Sequence, residues 1–334
     1  MIVHCIVLDK FIPPFIDFLK RNFDYNNHHF LFLHQEFYDY GLQPDKQNIW
    51  ITDFNSENDF TLFLKKADKL IIHGLWSEYL IDFLYRNAYL LKKSYWVMWG
   101  GDFYFPERQS DKKKKVIRKM GNLITDVVGD YELAKQWYKA KGKIYRSFMY
   151  PSNLYKDVPK KDVIKHTANI LIGNSSNPTN NHIDALEKLK DLKDENIKIF
   201  IPLSYGGGSE EYISEVIKTG QSIFKDKFIP LLEYIPYEEY IQFLNSIDIA
   251  IFNVNRQQAM GNIITLLGMG KKVYIRNDTT MWNYFSELGI KIFNFYGSFS
   301  LEPLANNLSK ENVLKIKNHF SEENLIKQLT KIFG

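Results

Sequence analysis

"NILIGNSSNPTNNHIDALEKL", residues 169–189, decides how the chain is read. A short apolar run ends at Gly173, small polar residues follow, and Ile183, Leu186 and Leu189 then recur at helical spacing. A strand that passes through a glycine turn into an amphipathic helix opens a βα unit. The small residues leave backbone N–H groups open where the helix dipole favours negative charge. Gly173, Asn174 and Ser175 are therefore candidate anion contacts. An ordinary strand-to-helix loop, with Asn and Ser as turn formers, reads the same way.

The same grammar extends in both directions. Toward the amino terminus, strand-like runs fall at 2–8, 29–34, 49–52, 69–74, 95–100, 123–128 and 144–150, with helical stretches such as "WSEYLIDFLYRNAYLLKK" between most of them. Toward the carboxyl terminus they recur at 169–174, 198–203, 228–234, 248–254, 271–277 and 291–295. Continuously apolar strands separated by helices predict parallel sheets covered on both faces. A length of 334 residues exceeds the roughly 250–300 at which one core stops growing. The expected architecture is α/β: two doubly wound, Rossmann-like domains facing across a cleft, over residues 1–155 and 156–308, then a helical tail at 309–334. The boundary is placed in the polar, proline-bearing segment Pro151–Thr167, and Ser309 and Ser321 are expected to cap the last two helices.

Composition narrows the function classes. The formal charge is +4, and all of that excess lies in residues 1–150. Its densest part, "RQSDKKKKVIRKM" (Arg108–Met120), reads as a solvated helix face or as contact with an anionic membrane surface. So mild a balance gives no expectation of nucleic acid as a partner. The single cysteine, Cys5, sits in an apolar run and is expected to be buried and inert. The first ten residues lack the pattern of an export signal, and no apolar run approaches the roughly 18 residues that span a bilayer.

Ligands of open α/β sheets sit beyond the carboxyl ends of the strands. "FNVNRQQAMGNI" (252–263) leaves a strand, offers Arg256, Gln257 and Gln258, and enters a helix through Gly261 and Asn262. An arginine fork beside a helix N-terminus suits a diphosphate. "IPLSYGGGSEEYISEV" (201–216) adds Tyr205 and three glycines, which read as a phosphate cradle or as a flexible connection. Tyr234 offers a ring on which a nucleobase could stack, or rim packing. For proton transfer, "WVMWGGD" and "LIIHG" place Asp102 and His73 at strand ends; a helix cap and a core histidine are the structural alternatives. His4, early in the first strand, is read as a core histidine. No Asp-x-Asp pair and no Cys/His ligand spacing is present, so neither metal nor cofactor is expected.

Taken in order, "WGGD", "ILIGNSSNPTNNHIDAL", "PLSYGGGSEEYISEV" and "FNVNRQQAMGNI" resemble the TDP-N-acetylfucosamine:lipid II N-acetylfucosaminyltransferases, glycosyltransferase family 56, of enterobacterial common antigen assembly. The resemblance covers roughly residues 70–295. It implies a GT-B fold, a dTDP-sugar donor such as dTDP-Fuc4NAc held mainly by the second domain, and no metal. It also implies a polyprenyl-diphosphate-linked glycan acceptor and a peripheral place on the cytoplasmic face of the inner membrane. Asp102 falls on the family's Trp-Gly-x-Asp motif, Asn174 and Ser175 on its Gly-Asn-Ser loop, and Arg256, Gln257 and Gln258 on its Arg-Gln-Gln. The first 60 or so residues, the tail and the three-glycine segment depart from the pattern. An O-antigen or capsule transferase using another nucleotide sugar, or a nucleotide-sugar epimerase or hydrolase on the same fold, therefore stays open.

Overall fold

The computed structural model describes residues 1–33, 40–42, 47–51, 57–159 and 167–334. The expected strand ends at His34 and Thr52, and the middle of the expected linker, lie outside these residues.

Seven strands build the first sheet: β1 (Ile2–Ile6), β2 (His28–Phe32), β3 (Ile49–Ile51), β4 (Lys69–His73), β5 (Ser94–Val97), β6 (Asn122–Ile124) and β7 (Lys143–Tyr145). Between and after them run α1 (Ile12–Asn22), α2 (Glu57–Lys66), α3 (Glu78–Arg86), α4 (Asp111–Lys119) and α5 (Val128–Tyr138). Six strands build the second: β8 (Ala168–Ile172), β9 (Ile197–Pro202), β10 (Phe228–Leu231), β11 (Ile249–Phe252), β12 (Lys272–Ile275) and β13 (Phe293–Asn294). Its helices are α6 (His182–Lys188), α7 (Glu210–Phe224), α8 (Tyr237–Ser246), α9 (Met260–Gly268), α10 (Thr280–Glu287) and α11 (Asn306–His319), and α12 (Glu322–Phe333) ends the chain.

Every described strand pair is parallel. The sheet orders are β3-β2-β1-β4-β5-β6-β7 and β10-β9-β8-β11-β12-β13. In both, the chain works outward on one side and then returns to the other side of its first strand. The order therefore reverses at β1/β4 and at β8/β11, the places where doubly wound sheets open a crevice. The buried faces follow the sequence pattern: Val3, Leu70, Ile72 and Trp96 enter one core, and Ile170, Ile172, Ile199 and Ile251 the other.

The chain separates into two compact units, Met1–Leu154 together with Ser321–Gly334, and Tyr155–Phe320. The expected helical tail is thus shared out: α11 stays with the second unit and α12 returns to the first. Lys69 Nζ donates to the last carbonyls of α12, Ile332 and Phe333, at 2.9 Å each, a cation placed where the helix dipole is negative. Ser321 caps α12 through Asn324 N–H. Ser309 is not a cap, because α11 starts earlier, at Asn306. Its hydroxyl instead donates to Gly270 O inside the second unit.

Candidate active site

In the second unit, three loops at the carboxyl ends of β8, β9 and β11 are bonded together. Gly173 ends β8 with φ of 69° and donates its N–H to Ile251 O on β11 at 2.9 Å. Asn174 follows, and Gln258 Nε2 donates to its Oδ1 at 3.0 Å. Asn174 Nδ2 lies 3.5 Å from Tyr205 Oη. The side-chain amides of Asn181 and Asn253 bond each other's backbone carbonyls and tie the β8 loop to β11 a second time.

The glycine run has a packing explanation. Gly206 stands at φ 108°, and a Cβ there would come within 2.7 Å of Ser175 Oγ; one on Gly208 would come within 2.3 Å of Ser176 O. Gly208 N–H donates to Ser176 Oγ and Asn177 Nδ2 to Gly206 O. The loop after β9 is therefore pressed onto the loop after β8, and Ser175, expected as a ligand contact, is buried beneath it. Tyr205 stays 40% exposed at the edge of this assembly.

The β11–α9 loop carries strain and unmet polarity. Ala259, at the N-cap of α9, adopts the left-handed region at φ 61°, which costs a non-glycine residue about 1 kcal/mol. Asn253 Oδ1, Asn255 Oδ1 and Gln257 Oε1 are buried amide oxygens without a hydrogen-bond donor. Such groups are rare in folded proteins and call for a partner. Arg256 is half-buried among them, with Nη1 donating to Gln257 O at 3.1 Å. Gly261 and Asn262 lie in the first turn of α9, where Asn262 Nδ2 donates to Tyr240 Oη at 2.8 Å. Tyr234 lies between β10 and α8 and is 65% exposed.

In the first unit, both proton-transfer candidates lie in the interior. Asp102 is fully buried: its Oδ2 accepts from Leu75 N–H at 2.9 Å and Trp96 Nε1 at 2.7 Å, and its Oδ1 from Trp99 N–H at 3.0 Å. Burial raises its pKa, against those donors and the charge of Lys113. So enclosed a carboxylate organises the turns after β4 and β5 and does not reach solvent. His73 is equally buried, and burial pulls its pKa down to about 3. It bonds Tyr150 Oη at 2.7 Å and His4 at 3.0 Å.

Sequence reasoning passed over Asp9. It lies three residues beyond β1, at the strand-order reversal, half-buried, and its carbonyl accepts the N–H of Ile12 as α1 begins. Its charge is felt at Tyr150, whose pKa is raised first by burial and further by Asp9. The signal was available: a lone carboxylate just past the first apolar strand. Among the described residues, no three His, Cys, Asp or Glu side chains gather as a metal site.

The family model described as 4-alpha-L-fucosyltransferase, glycosyl transferase group 56, matches residues 58–320. Among solved structures, a glycosyltransferase from Rickettsia africae ESF-5 is similar at 14% identity, over 99% of this chain and 97% of that one, with a TM-score of 0.69. Anabaena Alr3699/HepE in complex with UDP and glucose is similar at 12% identity, over 99% and 98%, with a TM-score of 0.67. WaaG, a glycosyltransferase involved in lipopolysaccharide biosynthesis, is similar at 12% identity, over 99% and 98%, with a TM-score of 0.59. The two Rossmann-like sheets are those of the GT-B fold.

Proposed function

The chain belongs to the group 56 glycosyltransferases, and from that premise we propose that it moves a 4-acetamido-4,6-dideoxyhexose such as Fuc4NAc from a dTDP-sugar to a polyprenyl-diphosphate-linked glycan. The observation that carries the donor half is the β11–α9 loop. It joins an arginine, a helix N-terminus and three unpaired buried oxygens within residues 253–262. Arg256 and the open N–H groups of α9 at Gly261 and Asn262 neutralise the diphosphate as it leaves. The unpaired oxygens of Asn253, Asn255 and Gln257 accept hydroxyl or amide hydrogens of the sugar, which a bare phosphate does not offer. Gly173, Asn174 and Gln258 form the adjoining wall, and the exposed rings of Tyr205 and Tyr234 suit stacking on the base.

Where transfer inverts the anomeric centre, Asp9 takes the acceptor's proton, a role the enclosed Asp102 does not fit. The test of the donor assignment is a thermal-shift panel of dTDP- and UDP-sugars and NAD, without added metal. At 100 times Kd a ligand of the native state adds about 2.7 kcal/mol. Stabilisation by dTDP compounds alone is the expected result; a shift with NAD alone would end the assignment.

Membrane contact fits the first unit. No described helix is long and apolar enough to cross a bilayer. On α4, Lys115 lies 5.5 Å over the Tyr85 ring, and Tyr89 beyond α3 is exposed. Lys113, by contrast, is buried, and burial lowers its pKa against the pull of Asp102 and Glu78. Replacing Lys112, Lys114 and Lys115 by glutamine is expected to weaken sedimentation with phosphatidylserine vesicles 10- to 100-fold at low salt, at up to about 1 kcal/mol for each lysine. Undiminished sedimentation would remove this surface from the proposal.

A further inference from the structure

Three histidines lie on a diagonal of the first sheet. In register, His28 on β2 stands beside Ile2 of β1, and His73 on β4 beside Ile6. His4 lies midway between those two positions, so all three share one face. The line runs from the amino edge of the sheet to its carboxyl edge. His28 Nδ1 bonds His4 Nε2 at 2.9 Å and His4 Nδ1 bonds His73 Nε2 at 3.0 Å. His73 Nδ1 bonds Tyr150 Oη at 2.7 Å, and Tyr150 Oη accepts Trp99 Nε1–H at 2.9 Å. His4 and His73 are fully buried, and His28 keeps 3% exposure near Asp24. Burial holds His4 well below the ordinary imidazole value, His28 at about 4 and His73 at about 3, so all three rings are neutral at pH 7.

A neutral imidazole has one N–H and one lone pair. With these contacts, two arrangements satisfy the whole chain. Either every ring carries its hydrogen on Nε2 and Tyr150 donates to His73, or every ring carries it on Nδ1 and His73 donates to Tyr150. Any mixture sets hydrogen against hydrogen, or lone pair against lone pair, in a buried place.

We propose that Tyr150, His73, His4 and His28 form an all-or-none proton relay that drains the carboxyl edge of the first sheet. It rests on the transferase reading, in which Asp9, whose charge reaches Tyr150, takes the proton from the acceptor hydroxyl and passes it to Tyr150. As Tyr150 Oη gains that proton, its own hydrogen moves to His73 Nδ1. The Nε2 hydrogen of His73 moves to His4 Nδ1, that of His4 to His28 Nδ1, and that of His28 to water. One proton enters, one leaves, and every ring is neutral before and after. The reverse displacement, which takes a proton from water at His28 and gives one at Tyr150 to the solvent of the emptied site after product leaves, resets the chain, so the acceptor's proton is held away while transfer takes place. The charged or titratable groups facing it are Asp9 and Asp102 at Tyr150, and Asp24, His29 and the amino terminus at the His4–His28 end.

Nitrogen-15 NMR of the histidine-labelled full chain at pH 7.5, with neither donor nor acceptor, should give one common tautomer for His4, His28 and His73. A mixture of tautomers overturns the relay. In turnover with the dTDP-sugar, His4→Phe cuts the wire at its middle, far from the reacting atoms. It is expected to slow kcat at least tenfold and to change its solvent deuterium isotope effect, while dTDP still stabilises the protein. His28→Gln, at the far end of the line from Tyr150, is the second variant and should act in the same direction. Wild-type kcat and isotope effect in either folded variant overturns the relay. The tautomer spectrum tests the chain apart from the transferase reading, and dTDP stabilisation tests that reading apart from the chain.

Discussion

Asp102→Asn is expected to destabilise the first unit by about 3 kcal/mol, with the loss visible in urea unfolding at pH 7. The carboxylate accepts three buried donors on two oxygens, from Leu75, Trp96 and Trp99. An amide has one oxygen. Turned to keep Leu75 and Trp96, it sets its NH2 against Trp99 N–H; turned the other way, it faces two donors. A buried donor left unpaired costs about 1–3 kcal/mol, and charge-assisted bonds lie at the upper end. Lys113, buried nearby, also loses the negative charge that partly offsets its burial. The place of Asp102 is thus explained by the turn it holds. Wild-type unfolding with abolished turnover would reverse that conclusion and return Asp102 to the chemistry.

The parallel strands were legible because burial on both faces demands unbroken apolar runs. "IVHCIVL" and "DIAIFNV" could hardly be placed otherwise. The loops that gather in the second unit were legible too, since glycine, Asn and Arg at strand ends have few other uses. The sequence left hidden whatever depends on partners far along the chain. Ser175 looked like a ligand contact until Gly206 closed over it, 31 residues on. Four consecutive lysines looked alike, yet one helical turn sends Lys113 inward. His4 was read as a core histidine, but its partners lie 24 and 69 residues away, and only the strand order β2-β1-β4 sets them in line. Asp9 lacked a surrounding motif, and the strand-order reversal that gives its place meaning exists only once the sheet is assembled.

The same histidines make the first unit sensitive to acid. An unfolded histidine titrates near pH 6.5. Burial keeps His28 near 4, His73 near 3 and His4 well below its ordinary value. Between those limits the unfolded chain binds more protons than the folded one, so stability falls as pH falls. From pH 7 to pH 5 each such group removes about 2 kcal/mol, an amount fixed by the unfolded value as long as the folded one stays below about 4.5. Three of them remove about 6 kcal/mol, comparable with the whole stability of many domains. Asp102 works in the opposite direction, because its raised pKa lets the folded state gain a proton first, but it is one group against three. Among the described histidines of the second unit only His182, held near 4 by burial, shows a lowered value. Five of the six tryptophans belong to the first unit, so their fluorescence should report unfolding at a higher pH than far-ultraviolet circular dichroism of the whole chain. His4→Phe should remove one proton from the uptake and move the fluorescence transition to lower pH. A fluorescence midpoint in urea that stays level from pH 7 to pH 5 would mean that the three rings are not held neutral by burial.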